Sequence, residues 1–240
     1  MQKILGQIRK AIQDFNMIED GDKICIGLSG GKDSLALLFS LAKLQKFYTK
    51  KFSLVAITIN PNFDGFDTTY LSKACEELGV EYIVYPSNIK EIVFDIRKET
   101  NPCSLCANLR RGMLNSFAVE NGCNKVALGH HCDDLIETLL LSLLYEGHIH
   151  TFSPITYLSK KNINVIRPMI YVYEKEIQRW VKENNIQPLP KTCKVDGSTK
   201  REEIKNLIHS FSKDLPYIKS NLLGAIKRSN IKGWKENNEK

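Results

Sequence analysis

The stretch Ser29-Gly30-Gly31-Lys32-Asp33-Ser34 decides the fold of this chain, because of what stands on either side of it. Residues 23–28 before it are apolar and β-rich, and residues 35–39 after it are apolar and helix-forming. This order predicts a strand, a glycine turn and a helix. Such a turn directs backbone N–H groups and a helix N-terminus at an anion, and the glycines allow close approach. Lys32 adds positive charge, and Asp33 adds a carboxylate that can hold a metal.

Two familiar phosphate-binding patterns do not describe this turn. The Walker pattern needs four residues between its first glycine and Gly-Lys, whereas Gly27 leaves three and Asp33 follows Lys32. The dinucleotide pattern G-x-G-x-x-G is absent. An ordinary glycine turn between a strand and a helix remains the plain alternative. It does not explain why two glycines, a lysine, an aspartate and two serines stand together.

The rest of the chain alternates between strand-like and helix-like runs. The strand-like runs are residues 23–28, 53–59, 81–85, 125–128 and 164–166. The helix-like runs are residues 34–45, 68–78, 105–120, 135–145 and 174–184. This alternation predicts an α/β fold with a parallel sheet, helices on both faces and a Rossmann-like arrangement. Ligands of such sheets bind at the carboxyl ends of the strands, where residues 29–34 would lie.

The 240 residues, of which 42% are hydrophobic, are enough for one α/β domain with a full core and a small appendage. Apolar residues spaced three to four apart predict an N-terminal helix within residues 1–21. We expect the α/β domain over residues 22–186. Residues 187–240 would form a cysteine-bearing loop, with Pro188, Pro190 and Gly197, followed by basic C-terminal helices.

The formal net charge of +7 permits a nucleic-acid partner but does not require one, since a solvated lysine-rich surface also explains it. The basic residues 191–232 are the part that could follow a phosphate backbone. No secretory signal is visible, and the longest apolar stretch, residues 135–144, is too short to span a bilayer. Seven cysteines without such a signal favour a reducing, cytoplasmic location.

Cys103 and Cys106 form a C-x-x-C pair at the predicted start of a helix, where both sulfurs can face one centre. The helix dipole and the nearby arginines favour thiolates, which metals require. Cys193 is the one further cysteine in a suitable loop. Three thiolates are unusual for structural zinc, which takes four ligands, and on a [4Fe–4S] cluster they would leave one iron open. A redox dithiol and an unrelated set of cysteines stay open; the other four cysteines, Cys25, Cys75, Cys123 and Cys132, are expected to be ordinary packed residues.

The stretch Gly129-His130-His131-Cys132-Asp133-Asp134 follows a predicted strand and opens a helix. Either aspartate could simply cap that helix. In a functional interpretation, one carboxylate faces the nucleotide and binds Mg²⁺ or orients the acceptor. The two histidines could contact phosphate or ribose, or satisfy carbonyl groups of the loop.

Taken together, these motifs resemble the tRNA 2-thiocytidine synthetase (TtcA) family of PP-loop proteins, which are N-type ATP pyrophosphatases of the HUP type. The matching stretches are SGGKDS at 29–34, PCSLCANLRRG at 102–112, ALGHHCDD at 127–134 and IRPMIYVYEKEI at 166–177. They stand in the family's order over roughly residues 20–210. The resemblance implies a PP-loop domain that cleaves ATP to AMP and pyrophosphate.

The resemblance also implies the roles of individual residues. Ser29, Gly30, Gly31, Lys32, Asp33 and Ser34 would bind ATP together with Gly129. Lys32, Asp33 and Asp133 would be the catalytic groups, with Mg²⁺ as a further cofactor. Cys103, Cys106 and Cys193 would hold a [4Fe–4S] cluster whose open iron passes sulfide to the adenylated base. The implied partners are tRNA and a sulfide or cysteine-desulfurase sulfur donor, with no membrane; a homodimer is left open.

Other functions keep part of this pattern. A PP-loop sulfurtransferase without a cluster would use a persulfide on Cys103 or Cys106. A small-molecule sulfurtransferase or desulfidase would keep the chemistry and change the acceptor. A PP-loop amidase or ligase would leave the cysteines unexplained, and a non-enzymatic, cluster-bearing RNA-binding protein would release no pyrophosphate.

Overall fold

The computed structural model describes residues 1–97, 102–190 and 200–234. The helices are α1 (Gln2–Asp14), α2 (Lys32–Gln45), α3 (Thr69–Leu78), α4 (Pro102–Glu120), α5 (Cys132–Leu141), α6 (Glu174–Glu183), α7 (Lys200–Asp214) and α8 (Ile218–Arg228). The strands are β1 (Asp22–Gly27), β2 (Phe52–Asn60), β3 (Glu81–Pro86), β4 (Lys125–Ala127), β5 (Ile155–Leu158) and β6 (Ile163–Ile166). Two short π-helical segments cover Glu91–Ile96 and Ser142–Glu146.

One six-stranded sheet has the order β3-β2-β1-β4-β6-β5. The pairs β1–β2, β2–β3, β1–β4 and β4–β6 are parallel, whereas β5 pairs antiparallel with β6 at the edge. The chain leaves β1 toward β2 on one side and reaches β4 on the other. The strand order therefore reverses beside β1, which is where a doubly wound sheet opens a crevice for ligands.

Helices cover both faces of this sheet, as the sequence predicted. On one face, Ile24 and Ile26 of β1 pack in a cluster with α1, α2 and α6. On the other face, the intervening Cys25 packs with Leu114 and Ala118 of α4. This alternation follows from the two-residue repeat of a strand. Burying one such isoleucine contributes about 1.5–3 kcal/mol.

The observed helices and strands agree with the predicted runs, with two additions. The edge strand β5 and the π-helical segment Glu91–Ile96 were not predicted. β5 is only four residues long, and its hairpin with β6 is not part of the β–α alternation. The N-terminal helix shares the main core, because Ile8 and Ile12 pack there beside residues of α2. The boundaries at residues 21 and 186 stay a prediction.

The four cysteines expected to be ordinary are all buried. Burial raises the pKa of Cys75 and of Cys132 to about 12, so neither thiol ionises at neutral pH. Within the residues that the structure describes, no helix is both long and apolar enough to cross a membrane.

Candidate active site

The Ser29–Ser34 turn lies at the carboxyl end of β1 and is shaped by its serines. Ser34 Oγ accepts a hydrogen bond from the Ser29 backbone N–H at 3.2 Å and donates one to the Gly31 carbonyl at 2.9 Å. Gly30 has φ +82°, and a β-carbon there would lie 2.5 Å from Leu189 Cδ1. Helix α2 then starts at Lys32 without a side-chain cap. Its first-turn N–H groups are therefore available to an anion.

A cavity of about 320 Å³ opens beside this turn. Its polar lining comes from Ser29, Asp33, Ser34, Arg110, Arg111, His130 and Asp134, and its apolar lining includes Ile57, Ile59, Leu114 and Leu128. The lining thus combines the glycine turn with helix α4, which begins with the C-x-x-C pair. Ala107, directly after Cys106, is also part of the wall. The phosphate turn and the cysteine-bearing helix face the same space.

Gly129 brings the turn after β4 against the turn after β1. A β-carbon at Gly129 would lie 3.0 Å from the carbonyl carbon and oxygen of Asp33 and 3.2 Å from the Ser34 nitrogen. The glycine is needed because two backbones meet here. Gly129 also lines the cavity, as expected of a predicted ATP contact.

The two aspartates of the β4–α5 turn are not equivalent. His131 caps α5: its Nδ1 accepts from the Asp134 N–H, and the Asp134 carboxylate accepts from the His131 N–H at 3.0 Å. Asp134 lines the cavity. Asp133 is instead buried, where it accepts hydrogen bonds from Lys219 and from the Glu174 backbone N–H.

Asp133 was predicted as a catalytic residue, and the structure does not bring it into the cavity. Its contacts tie α5 to α6 and α8. The sequence shows two adjacent carboxylates at a helix start but not which one turns inward. That choice is set by long-range contacts with Lys219 and Glu174.

A chain of alternating charges begins at Asp33, which lines the cavity, and runs toward helix α7. Lys32 Nζ lies 3.0 Å from both Asp33 Oδ2 and Glu174 Oε1, and Glu174 Oε2 lies 3.0 Å from Lys205 Nζ. On the other side, Asp33 Oδ1 lies 3.7 Å from Nε2 of the capping His131. Glu174 was not predicted from the sequence, because it stands far from Lys32 along the chain.

Helix α7 supplies cations at both ends of this chain of charges. Lys205 contacts Glu174, and Arg201 lies 3.4 Å from Asp134 and 3.1 Å from Glu137. Lys219 of α8 pairs with Asp133. These three residues belong to the basic segment 191–232, whose contact with an RNA backbone stays a prediction, and in the structure they pair with carboxylates around the site.

The pairing changes the pKa values of the charged groups. Burial opposes ionisation of Glu174, yet its hydrogen bonds with Lys205 and Lys32 lower its pKa to about 2. For Lys32, burial acts to lower the pKa, but Asp33 and Glu174 outweigh it and raise the pKa. Both groups are therefore charged at neutral pH.

The cavity wall contains two arginines, Arg110 and Arg111, and a neutral histidine, His130. Burial lowers the pKa of His130 to about 4; Asp134 opposes that shift, whereas Arg167 and Arg111 reinforce it. The His130 ring lies 5.0 Å from the Phe152 ring, and its buried Nδ1 has no hydrogen-bond partner among the described residues. Burial likewise lowers the pKa of Arg167 to about 10. An anionic group in this cavity would meet positive charge from the wall.

The C-x-x-C pair lies in the first turns of α4. Cys103 is exposed and Cys106 is half-buried. Their spacing of three residues places both on one side of the helix. Cys193 lies outside the described residues, and within the described ranges no group of three His, Cys, Asp or Glu side chains is arranged to hold a metal.

The described residues that flank 191–199 lie beside the cavity. The Leu189 N–H donates to the Gly30 carbonyl at 2.9 Å, and its side chain covers the face of Gly30. On the other flank, Arg201 contacts Asp134. Leu189 and Arg201 thus each contact a residue of the candidate site.

Fold and site together define a nucleotide-binding α/β protein with a phosphate turn at the strand-order reversal. A family model described as a PP-loop domain matches residues 2–209. A tRNA-cytidine(32) 2-sulfurtransferase of Syntrophotalea carbinolica is 37% identical, with 94% of this chain and 88% of the relative covered. The same-named protein of Geobacter metallireducens is 36% identical, with 94% and 89% covered. The chain belongs to the PP-loop proteins and, within them, to the tRNA 2-thiocytidine synthetase family.

The fold is also that of a solved relative. The U34-tRNA thiolase NcsA from Methanococcus maripaludis, solved with its [4Fe–4S] cluster, superposes with a TM-score of 0.74 at 24% identity. The match covers 92% of this chain and 76% of that chain. It supports the predicted parallel sheet with flanking helices, to which the structure adds one antiparallel edge strand.

Proposed function

We propose that this protein is an ATP-dependent tRNA sulfurtransferase that converts a cytidine to 2-thiocytidine. The observation that carries the proposal is that the phosphate turn and the helix that carries Cys103 and Cys106 line the same cavity. Adenylation and sulfur transfer on one base require such an arrangement. The shared name of the relatives points to cytidine 32 of tRNA as the target.

The first step is adenylation of the base. The O2 oxygen of cytosine attacks the α-phosphorus of ATP, and the bond to pyrophosphate breaks. The glycine turn and Lys32 stabilise the negative charge that develops on the phosphates, since preorganised donors at a developing charge lower the barrier. Asp33 and Asp134, both in the cavity wall, are the carboxylates suited to hold Mg²⁺. Asp134 takes the role that the sequence suggested for Asp133.

The second step replaces oxygen by sulfur. Sulfide attacks C2 of the activated base, and AMP leaves with the original oxygen. We propose Cys103, Cys106 and Cys193 as ligands of a [4Fe–4S] cluster, which would supply an open iron for sulfide. The two described cysteines suit this group, because they share one side of α4 at an accessible helix start. Arg110, one turn beyond Cys106, adds positive charge between them and the cavity.

The proposed partner is a tRNA. A base can reach the cavity only when it is turned out of its stack, and a nucleotide in a tRNA loop can do this. The exposed Arg111 lines the cavity without an ion pair among the described residues and is available to an RNA phosphate. We expect the reaction in the cytoplasm, with sulfide or a cysteine desulfurase as the sulfur source. A homodimer is one arrangement that size measurements would test.

Anaerobic purification followed by iron analysis tests the cluster. We expect a brown protein with about four irons per chain. Cys103→Ala, Cys106→Ala and Cys193→Ala should lose most of the iron, whereas the buried Cys75→Ala should keep it. Stoichiometric zinc without iron would contradict the cluster. Full thiolation by iron-free protein would instead favour a persulfide on Cys103 or Cys106.

A further inference from the structure

Glu174 joins two lysines that come from different elements of the fold. Its carboxylate oxygens lie 3.0 Å from Nζ of Lys32, in the glycine turn, and 3.0 Å from Nζ of Lys205, in α7. The Glu174 side chain is only 14% exposed, whereas that of Lys205 is 45% exposed. One carboxylate, mostly withdrawn from water, is thus shared between the phosphate turn and a C-terminal helix.

We infer that Glu174 competes with a nucleoside triphosphate for Lys32, and that Lys205 sets how strongly it competes. The inference rests on the proposed function only in taking ATP as the ligand of the glycine turn. Lys205 pairs with Glu174, and Glu174 in turn pairs with Lys32, so Lys205 acts through Glu174 and is a positioning residue.

The ammonium group of Lys32 has few hydrogen-bond donors to share. An ammonium group has three donors, and Asp33 and Glu174 each engage one. A phosphate oxygen that binds Lys32 must share it with these carboxylates. Glu174 also adds negative charge beside the anionic phosphates, which disfavours them. Loss of the Glu174 charge should therefore strengthen triphosphate binding.

Lys205 has the opposite effect because it binds the same carboxylate. While Lys205 holds one oxygen of Glu174, the pull of that carboxylate on Lys32 is weakened and its charge is partly neutralised. Without Lys205, Glu174 would bind Lys32 more strongly, and the phosphates would face a less compensated carboxylate. The two substitutions should shift nucleotide affinity in opposite directions, and a general loss of folding would not do this.

A double-mutant cycle on the full-length chain tests the inference. The probe is α,β-methylene-ATP with Mg²⁺ and without tRNA, measured by isothermal titration calorimetry. We expect Glu174→Gln to lower Kd about threefold or more, and Lys205→Met to raise it by a similar factor. In the Glu174→Gln background, Lys205→Met should have no further effect. Lys205→Arg, which keeps the charge, should retain the wild-type Kd.

Matched controls come from the same helices. Glu183→Gln on α6 removes a carboxylate that pairs with Arg179, and Lys213→Met on α7 removes an exposed lysine. Neither should change Kd. Additive effects in the cycle, or shifts of the same sign in both single variants, would overturn the inference. Thermal melts of each variant report whether it is folded.

Nucleoside mass spectrometry of tRNA, measured separately, distinguishes the two proposals. Thiolation together with an additive cycle would reject only the competition at Lys32. A wild-type protein that binds the analogue but leaves tRNA unmodified would reject the proposed function and leave the cycle interpretable. A wild-type protein that binds no nucleotide would reject both.

Discussion

Two strand–turn–helix junctions lie side by side in this protein and differ in how they treat the start of the helix. After β1, Gly31 precedes α2 and provides no side-chain cap. After β4, His131 and Asp134 cap α5 reciprocally. The first junction leaves its N–H groups to a ligand, whereas the second satisfies them internally. Similar sequence positions therefore provide a binding surface in one case and a rigid wall in the other.

The second junction supports the first. Gly129 lets the two backbones meet, and His131 places its Nε2 within 3.7 Å of Asp33 Oδ1. Asp133 fixes the position of the wall through Lys219 and Glu174. Substitutions in the first junction should mainly lower the activity, and most substitutions in the second should mainly lower the stability.

The largest effect is expected at the first junction. Lys32→Ala and Asp33→Ala should each reduce ATP turnover by on the order of 10² or more, because each removes a preorganised charge at the phosphates. The turnover is measured as the steady-state release of pyrophosphate and AMP. Lys43→Ala, an exposed change on the same helix, is the control and should keep full turnover. ADP and phosphate as the main products would contradict the PP-loop chemistry.

The aspartate pair sharpens the contrast within the second junction. Asp134→Asn should lower thiolation about tenfold or more while keeping stability, because the amide can still accept the hydrogen bond from His131. Asp133→Asn should lower the free energy of unfolding by about 1–3 kcal/mol, because Lys219 loses its charged partner. Urea unfolding measures the stability of both variants, and a thiolation assay measures their activity. The reverse pattern would restore Asp133 as the catalytic carboxylate.

One added carbon atom at Gly129 would disturb the close approach of the two junctions. Gly129→Ala places a β-carbon 3.0 Å from the Asp33 backbone and should destabilise the protein by about 1–3 kcal/mol. Gly112→Ala, in α4 with nothing within 4 Å, should instead stabilise it by about 0.5–1 kcal/mol. Equal effects at the two glycines would show that the junctions are not in contact.

A further prediction concerns His130, whose folded pKa of about 4 lies below its ordinary value of 6.5. Between these values the unfolded chain binds more protons at this site, so stability falls as pH decreases from 6.5 toward 4. Through this group, the free energy of unfolding changes by at most about 1.4 kcal/mol per pH unit. His130→Asn should flatten the stability–pH curve in that window. An unchanged curve would mean that His130 is not held neutral.

The parts of the site that the sequence predicted are those encoded locally. Ser29–Ser34 was placed at a strand end because an apolar strand and an apolar helix adjoin it. The choice between Asp133 and Asp134, by contrast, depends on Lys219 and Glu174, which no local pattern connects to the turn. The pairing of Lys32 with Glu174 is likewise a consequence of tertiary packing. Edge strand β5 was missed because its antiparallel hairpin with β6 lies outside the β–α alternation on which the prediction rested.

Thiolation of tRNA by the purified protein is the direct test of the proposed function. Unmodified tRNA is incubated under nitrogen with the anaerobically purified protein, ATP, Mg²⁺ and sulfide, and its nucleosides are analysed by mass spectrometry. The account predicts 2-thiocytidine, formed with release of AMP and pyrophosphate and lost in Lys32→Ala and Cys103→Ala. ATP cleavage without any thiolated nucleoside, stimulated by a small molecule instead of tRNA, would contradict it.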